Sequence, residues 1–316
     1  MTTWAIAGAA FTPDDARAET FKSTHGARGV TLPGDLKVTA LPVPGNQVRV
    51  APGSATLPNR YLGPDGGGQS YGTRQAATED LTIPATGSGG GAVRYIIQRI
   101  TDPQYEGQVP ADPVTHRYDT FEVVPSIDGL PYPFVELAKI DQPANTATIT
   151  QAMITDLRKL TAPRELTVLR PRPSFTEDPL WSLVLDATAA EGEPWPATIE
   201  YMDVPEWATH VQISADWISV FYPAGTGWGE HWVEFGPETT PGTHDYSTSR
   251  NGWDAASNAD TTRANWRTVD EQPVPVAIRG TRQAFRYKAR SKGGAATARL
   301  DYRSGAVMQA RFIERI

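Results

Sequence analysis

Apolar and polar residues alternate along much of this chain with the two-residue period of a half-buried strand, while the spacing of an amphipathic helix is clearest in one place. Leu36, Val38 and Ala40 alternate with polar or charged neighbours. Pro42 to Asn46 supplies a turn, and Val48 and Val50 resume the alternation, so the pattern predicts a hairpin. Further strands are expected over residues 78–83, 92–101, 118–124 and 133–140. They are separated by Gly66-Gly67-Gly68, by the Gly-rich run 87–91 and by Pro103, Pro110 and Pro113. Ile149, Met153, Leu157 and Leu160 are spaced by four, four and three residues, which predicts a helix over 145–160, ended by Pro163. That stripe either packs on its own β domain or forms a neck that meets copies of itself around a symmetry axis.

Residues 1–45 carry few core positions. Trp4, Phe11 and Phe21 are scattered among Gly, Pro and Thr, with a helix-capable run from Asp14 to Phe21, and they read as an arm that docks on something else or as ordinary packing residues. Beyond Pro163 the character changes, with Pro171, Pro173, Pro179, Pro194 and Pro196 leading into a second β region that holds eight of the nine tryptophans beyond position 180. Alternation is strong at Val211, Ile213, Ala215 and Trp217, at Phe285, Tyr287 and Ala289, and at Met308, Ala310 and Phe312, with Gly293-Gly294 expected as a hairpin turn between the last two. The expected architecture is mainly β: arm 1–45, β domain 46–146, helical neck 147–163, and an outward β-sandwich of jelly-roll type over 164–316.

Composition sharpens this picture. The 27 Pro and 28 Gly among 316 residues exceed the roughly 12% usual for the two together, which favours short strands and turns. A formal net charge of -7 without a dense Lys/Arg run argues against a nucleic-acid partner. The absence of cysteine excludes disulfides, iron–sulfur clusters and thiol nucleophiles. The opening Met1–Phe11 lacks the basic leader and apolar core of a signal peptide, and no stretch approaches the length of a membrane span, so a soluble chain that does not use the standard secretion signal is expected.

No motif commits the chain to catalysis or to a cofactor. The glycines of 87–91 fit a dinucleotide fingerprint on paper, but Val93-Arg-Tyr-Ile-Ile97 follows as strand rather than helix. His25, His116, His210, His231 and His244 include no metal-binding pair, and Asp254, Asn258 and Asp260 lack the spacing of a Ca²⁺ loop. Glu206, Glu230 and Glu234 stand among tryptophans as a conceivable glycosidase pair, which keeps wall-glycan hydrolysis as the alternative to a non-enzymatic role. The alternation lapses over 237–266, which reads as a long loop bearing Tyr246, Arg250, Trp253, Asp254 and Trp266. A flat indole suits the C–H face of a sugar while carboxylate and guanidinium bond its hydroxyls. The plainer reading folds these aromatics back onto the sandwich.

The runs Gly29-Val30, Asp35-Leu-Lys-Val-Thr-Ala-Leu-Pro42, Pro44-Gly45 and Val48-Arg-Val-Ala-Pro-Gly53, with Arg99-Ile-Thr-Asp-Pro103 and Ile154-Thr-Asp-Leu-Arg158, resemble in order and spacing the minor tail proteins of long-tailed actinobacteriophages. The resemblance covers roughly residues 1–163. It implies a structural component of a tail tip or baseplate, assembled in the host cytoplasm and carried in the virion. The N-terminal half would attach to other tail proteins and the C-terminal half would face the host, where a cell-wall glycan is the candidate ligand. Assembly as a homotrimer through the 149–160 stripe is expected.

Overall fold

The computed structural model describes residues 11–107, 109–178, 182–186, 192–258, 260–294 and 297–316, with 256–258 in backbone only. The chain divides into two compact units that meet at Pro163 and Arg164.

The first unit opens with α1 (Pro13–Thr24). Thr12 caps it: its hydroxyl accepts from the Asp15 N–H at 3.2 Å while the Asp15 carboxylate accepts from the Thr12 N–H at 3.0 Å, and Pro13 occupies the first turn. The strands that follow are β1 (Gly29–Val30), β2 (Val38–Ala40), β3 (Gln47–Val50), β4 (Gly53–Pro58), β5 (Ser70–Gln75), β6 (Glu79–Thr82) and β7 (Ala92–Ile100). After the single turn α2 (Pro103–Glu106) come β8 (Asp119–Val124), β9 (Phe134–Gln142) and β10 (Ile154–Asp156). They build three antiparallel sheets, ordered β1-β4-β5, β2-β3-β6 and β10-β9-β7-β8. Val30, Leu36, Val48, Val50, Leu57, Ile96, Leu137 and Ile140 meet in one core between them. The hairpin and the four further strands expected here lie at β2–β3, β6, β7, β8 and β9.

Two expectations for this unit need correction. Residues 145–160 do not form a helix: Gln151–Met153 is a single tight turn, and β10 pairs with β9, placing Ile154 opposite Ile140. Thr146, Thr148, Ile149, Thr150, Ile154 and Thr155 are all β-branched, stiff at the first side-chain torsion and poor helix formers. Ile149 is fully buried in the unit's own core, Met153 and Leu160 pack against that core, and Leu157 is half-buried. Residues 11–45 are likewise no coreless arm. Val30, Leu36 and Val38 are core residues of the same cluster.

The second unit contains β11 (Glu165–Arg172), β12 (Ser182–Val184), β13 (Glu193–Asp203), β14 (His210–Tyr222), β15 (Gly225–Thr240) and β16 (Thr243–Ser247). They are followed by β17 (Asn251–Asn258), β18 (Thr262–Pro273), β19 (Arg282–Gly294), β20 (Arg299–Asp301) and β21 (Gly305–Ile313). One sheet runs β11-β21-β14-β20-β12 with β18 also on β14, and the other β13-β19-β15-β16 with β17 also on β15. Val211, Ile213, Ala215 and Trp217 of the first sheet and Val233, Phe235, Phe285, Tyr287 and Ala289 of the second share one core, so the unit is a two-sheet sandwich. The loop expected over 237–266 is instead the ends and whole lengths of β15 to β18. Thr239, Ser247, Gly252 and Asn265 are outward residues of these paired strands, while Thr248 is buried in the β16–β17 connection. Gly293-Gly294 is no hairpin turn either. The pair lies in β19 opposite Trp228 and Gly227 of β15, and β21, the strand it was to join, belongs to the other sheet.

Candidate functional site

Alternation decides what each aromatic of the second unit does. On β17, Trp253 points inward and is 5% exposed; Trp266 of β18 is 4% exposed. Their rings stack at 5.4 Å and 13°. Trp266 continues onto His231 at 5.1 Å and 14°, and Trp217 meets the His231 ring at 4.9 Å from the edge. Gly229 makes room for this stack, since a methyl there would come within 2.6 Å of Trp253 Nε1. Burial lowers the His231 pKa to about 4, and its Nδ1 lies 3.0 Å from the Thr268 hydroxyl. Trp253 and Trp266, expected as ligand contacts, are therefore core residues with no indole face to offer. Tyr246 also packs inward, 5.5 Å from the Phe235 ring.

Arg250 and Asp254, on either side of Trp253, face out, and beside them stands an exposed indole. Trp228 on β15 is 47% exposed, with Asp254 directly opposite on β17 and Gly293 opposite on β19. The indole lies over Gly293, where a methyl would come within 2.5 Å of Cζ2. Along the same outward row come Glu230, Trp232 and Glu234. Trp232 is fully buried beneath Arg250, whose guanidinium sits 4.4 Å from its ring, so Trp228 is the open indole of this row. A shelf of this kind, with carboxylate and guanidinium groups beside it, can stack a flat C–H surface and bond the hydroxyls around it.

The glutamates once paired for hydrolysis do not make a catalytic pair. Glu230 accepts from Lys292 and, at 2.7 Å, from Arg290 Nη2; these hydrogen bonds hold its carboxyl below the usual range, opposite to what a proton donor needs. Glu234 is enclosed, accepting from Trp232 Nε1 at 2.9 Å and the His244 N–H at 3.2 Å. Both carboxylates are thus engaged by basic or N–H donors within the sheet rather than presented across a cleft. Glu206 is exposed on the β13–β14 connection. Among the described residues no group of three or more acidic or histidine side chains is placed to hold a metal ion, and no helix is long and apolar enough to cross a membrane.

The first unit carries a groove of about 670 Å³ lined by Arg17 of α1, residues 71–74 of β5, residues 100–104, Val109, Pro110 and residues 116–119. One end is fixed by Arg17, 8% exposed, whose guanidinium donates to Gln69 at 2.7 Å, Gln104 at 2.7 Å and Asp102 at 3.1 Å. The Tyr71 hydroxyl donates to the same Asp102 carboxylate at 2.7 Å. Of the three aromatics expected to dock an arm, Phe11 is exposed and Phe21 half-buried over Gly26, while Trp4 lies outside the described residues.

No family model matches the chain, and no curated protein does. Among solved structures, it is similar to that of infectious bursal disease virus Gx strain, with 13% identity over 90% of this chain and 69% of the other at a TM-score of 0.25. Likeness to the VP2 subviral particle of the same virus is 12% over 90% and 67% at 0.27. Dimeric latent PorU from Porphyromonas gingivalis gives 10% over 95% of this chain and 26% of that one at 0.29.

Proposed function

We propose that the chain is a structural virion protein of a phage tail tip or baseplate, with a first unit that attaches to other tail proteins and a second unit that meets the host surface. One coincidence supports this reading: the resemblance to minor tail proteins covers roughly residues 1–163, and the chain parts into compact units at Pro163 and Arg164. An attachment unit joined to an exchangeable outward unit has a boundary there. In this reading the host-facing ligand is a cell-wall glycan, and its contacts are Trp228, Asp254 and Arg250 on the outward face of the second unit. With no helical neck, a trimeric copy number comes from the tail ring and not from a coil.

Gold-conjugated antibody against residues 164–315 should decorate the tail end distal to the head in electron micrographs of intact virions. Label on the head, or none on any virion, would refute the virion placement. Incubation with host wall material separates binding from hydrolysis: the chain should sediment with the wall and release no soluble sugar.

A further inference from the structure

We infer that the groove beside β5 is a docking site for an extended segment of another protein chain, which adds to β5 as a further strand. On a strand, alternate residues point to opposite faces, so a cavity lined by four consecutive residues, 71 to 74, runs along the strand's edge and not over one face. That edge is free. β5 pairs with β4 on one side and with no strand on the other among the described residues.

The register identifies which backbone groups are on offer. Ser54 turns its carbonyl to Thr31 on the β1 side of β4, at 2.9 Å, whereas the Asn59 N–H reaches the Gln69 carbonyl on the β5 side, also at 2.9 Å. Odd-numbered residues of β4 therefore bond to β5, and their partners Tyr71 and Thr73 point back at β4. The N–H and C=O of Gly72 and Arg74 point away, into the groove. Both residues are exposed.

The side chains around the edge indicate what a partner carries. Asp102 is taken by Arg17 and Tyr71, Asp119 by Gln98 at 2.9 Å, and Arg117 by Glu79 at 2.6 Å. Arg74 has no ion pair among the described residues, which leaves a positive charge uncommitted beside the free backbone pairs. Val109, 75% exposed, and Pro110 add an apolar rim. The occupant that fits is an extended peptide with an acidic side chain facing Arg74 and an apolar one toward Val109, held mainly by main-chain hydrogen bonds. A free edge is ordinarily blunted or covered, and a lined groove along one is shaped to be filled.

A displayed library of random peptides panned on the full-length chain supplies the probe. Gly72→Pro removes one outward N–H at a position where an edge strand tolerates proline, so the fold survives and a melting curve checks it. Selected peptides should bind G72P about tenfold more weakly, and their binding should slow hydrogen exchange at Gly72 and Arg74 while Tyr71 and Thr73 are already slow in the free chain. R74E, which leaves the backbone intact, should weaken the acidic peptides by a similar factor. Failure to select any peptide, equal binding to both variants, or exchange protection elsewhere would overturn the inference. None of these outcomes depends on where the protein sits in a virion.

Discussion

Acidification to about pH 5 should destabilise the second unit through one residue, His231. The ring is 3% exposed, wedged between Trp217 and Trp266, and its pKa lies at about 4 against an ordinary 6.5. A histidine kept neutral by burial binds fewer protons folded than unfolded, so its contribution is complete above about pH 6.5 and drains away as pH falls toward 4. With those two values the loss is about 2 kcal/mol at pH 5 and about 3 kcal/mol at pH 4. Partners hold the carboxyls of Glu230, Asp270, Asp301 and Glu314 below the usual range, so these groups begin to matter only near the unfolded carboxylate values, around pH 4. Glu193, raised by burial, works in the opposite sense. The His231→Gln variant, which retains a side chain able to bond Thr268, cancels every contribution but that of the imidazole. Urea unfolding followed by tryptophan fluorescence reports mainly on this unit, because eight of nine tryptophans lie beyond position 180. Between pH 7.5 and pH 5 the wild-type midpoint should fall by about 1 M more than that of the variant. Equal shifts in the two proteins would show that His231 does not titrate as a buried neutral ring.

Trp253→Ala should cost about 3–5 kcal/mol, a melting shift of roughly 6–20 °C for a unit of this size, whereas Trp228→Ala should stay within about 1 kcal/mol and instead reduce adsorption to host wall material. Calorimetry and a pull-down read the two effects; the reverse order would refute the assignment of core and shelf. Arg17→Met should remove about 2–4 kcal/mol, leaving Asp102 and two glutamines short of a donor, and should speed proteolysis at Lys22 and Arg28. Unchanged cleavage would mean that α1 is held by other contacts. Ile149→Ala should cost about 2–4 kcal/mol, while Leu157→Asp should leave the mass measured by light scattering unchanged, since no helical neck exists for it to disrupt.

The β2–β3 hairpin is readable because β3 has one buried and one wet face, which prints a two-residue period into the sequence: Val48 and Val50 are fully buried while Gln47 and Arg49 are not. The same signal failed at 145–160 for a definable reason. A tight turn followed by a short strand also returns a side chain to the core every three or four residues, so Ile149, Met153 and Leu160 mimic a helical stripe. The β-branched run through Thr146, Thr148, Ile149 and Thr150 was the local signal that decides against the helix, and periodicity alone outweighed it. The 237–266 misreading has a different origin. Alternation is weak there because the buried positions include Thr248, His244 and Ala255 beside Trp253 and Trp266, so few of them are apolar and large.

That difference explains why the candidate ligand site moved by one strand. Aromatic content marks a segment as consequential without saying which way its rings point, and Trp253 and Trp228 are both flanked by glycine and an acidic residue nearby in sequence. What separates them is parity. On β15, His231, Val233 and Phe235 share the inward side, which puts Trp228, Glu230, Trp232 and Glu234 on the outward one. On β17 the inward pair is Trp253 and Ala255, which leaves Gly252 and Asp254 outside. The paired side chains Trp228 and Asp254 face each other only once β15 and β17 are in register, a relation that no local pattern carries. The groove at β5 lies further still from what sequence can express, because it runs along backbone groups that no strand pairs among the described residues, a matter of tertiary arrangement and not of local pattern.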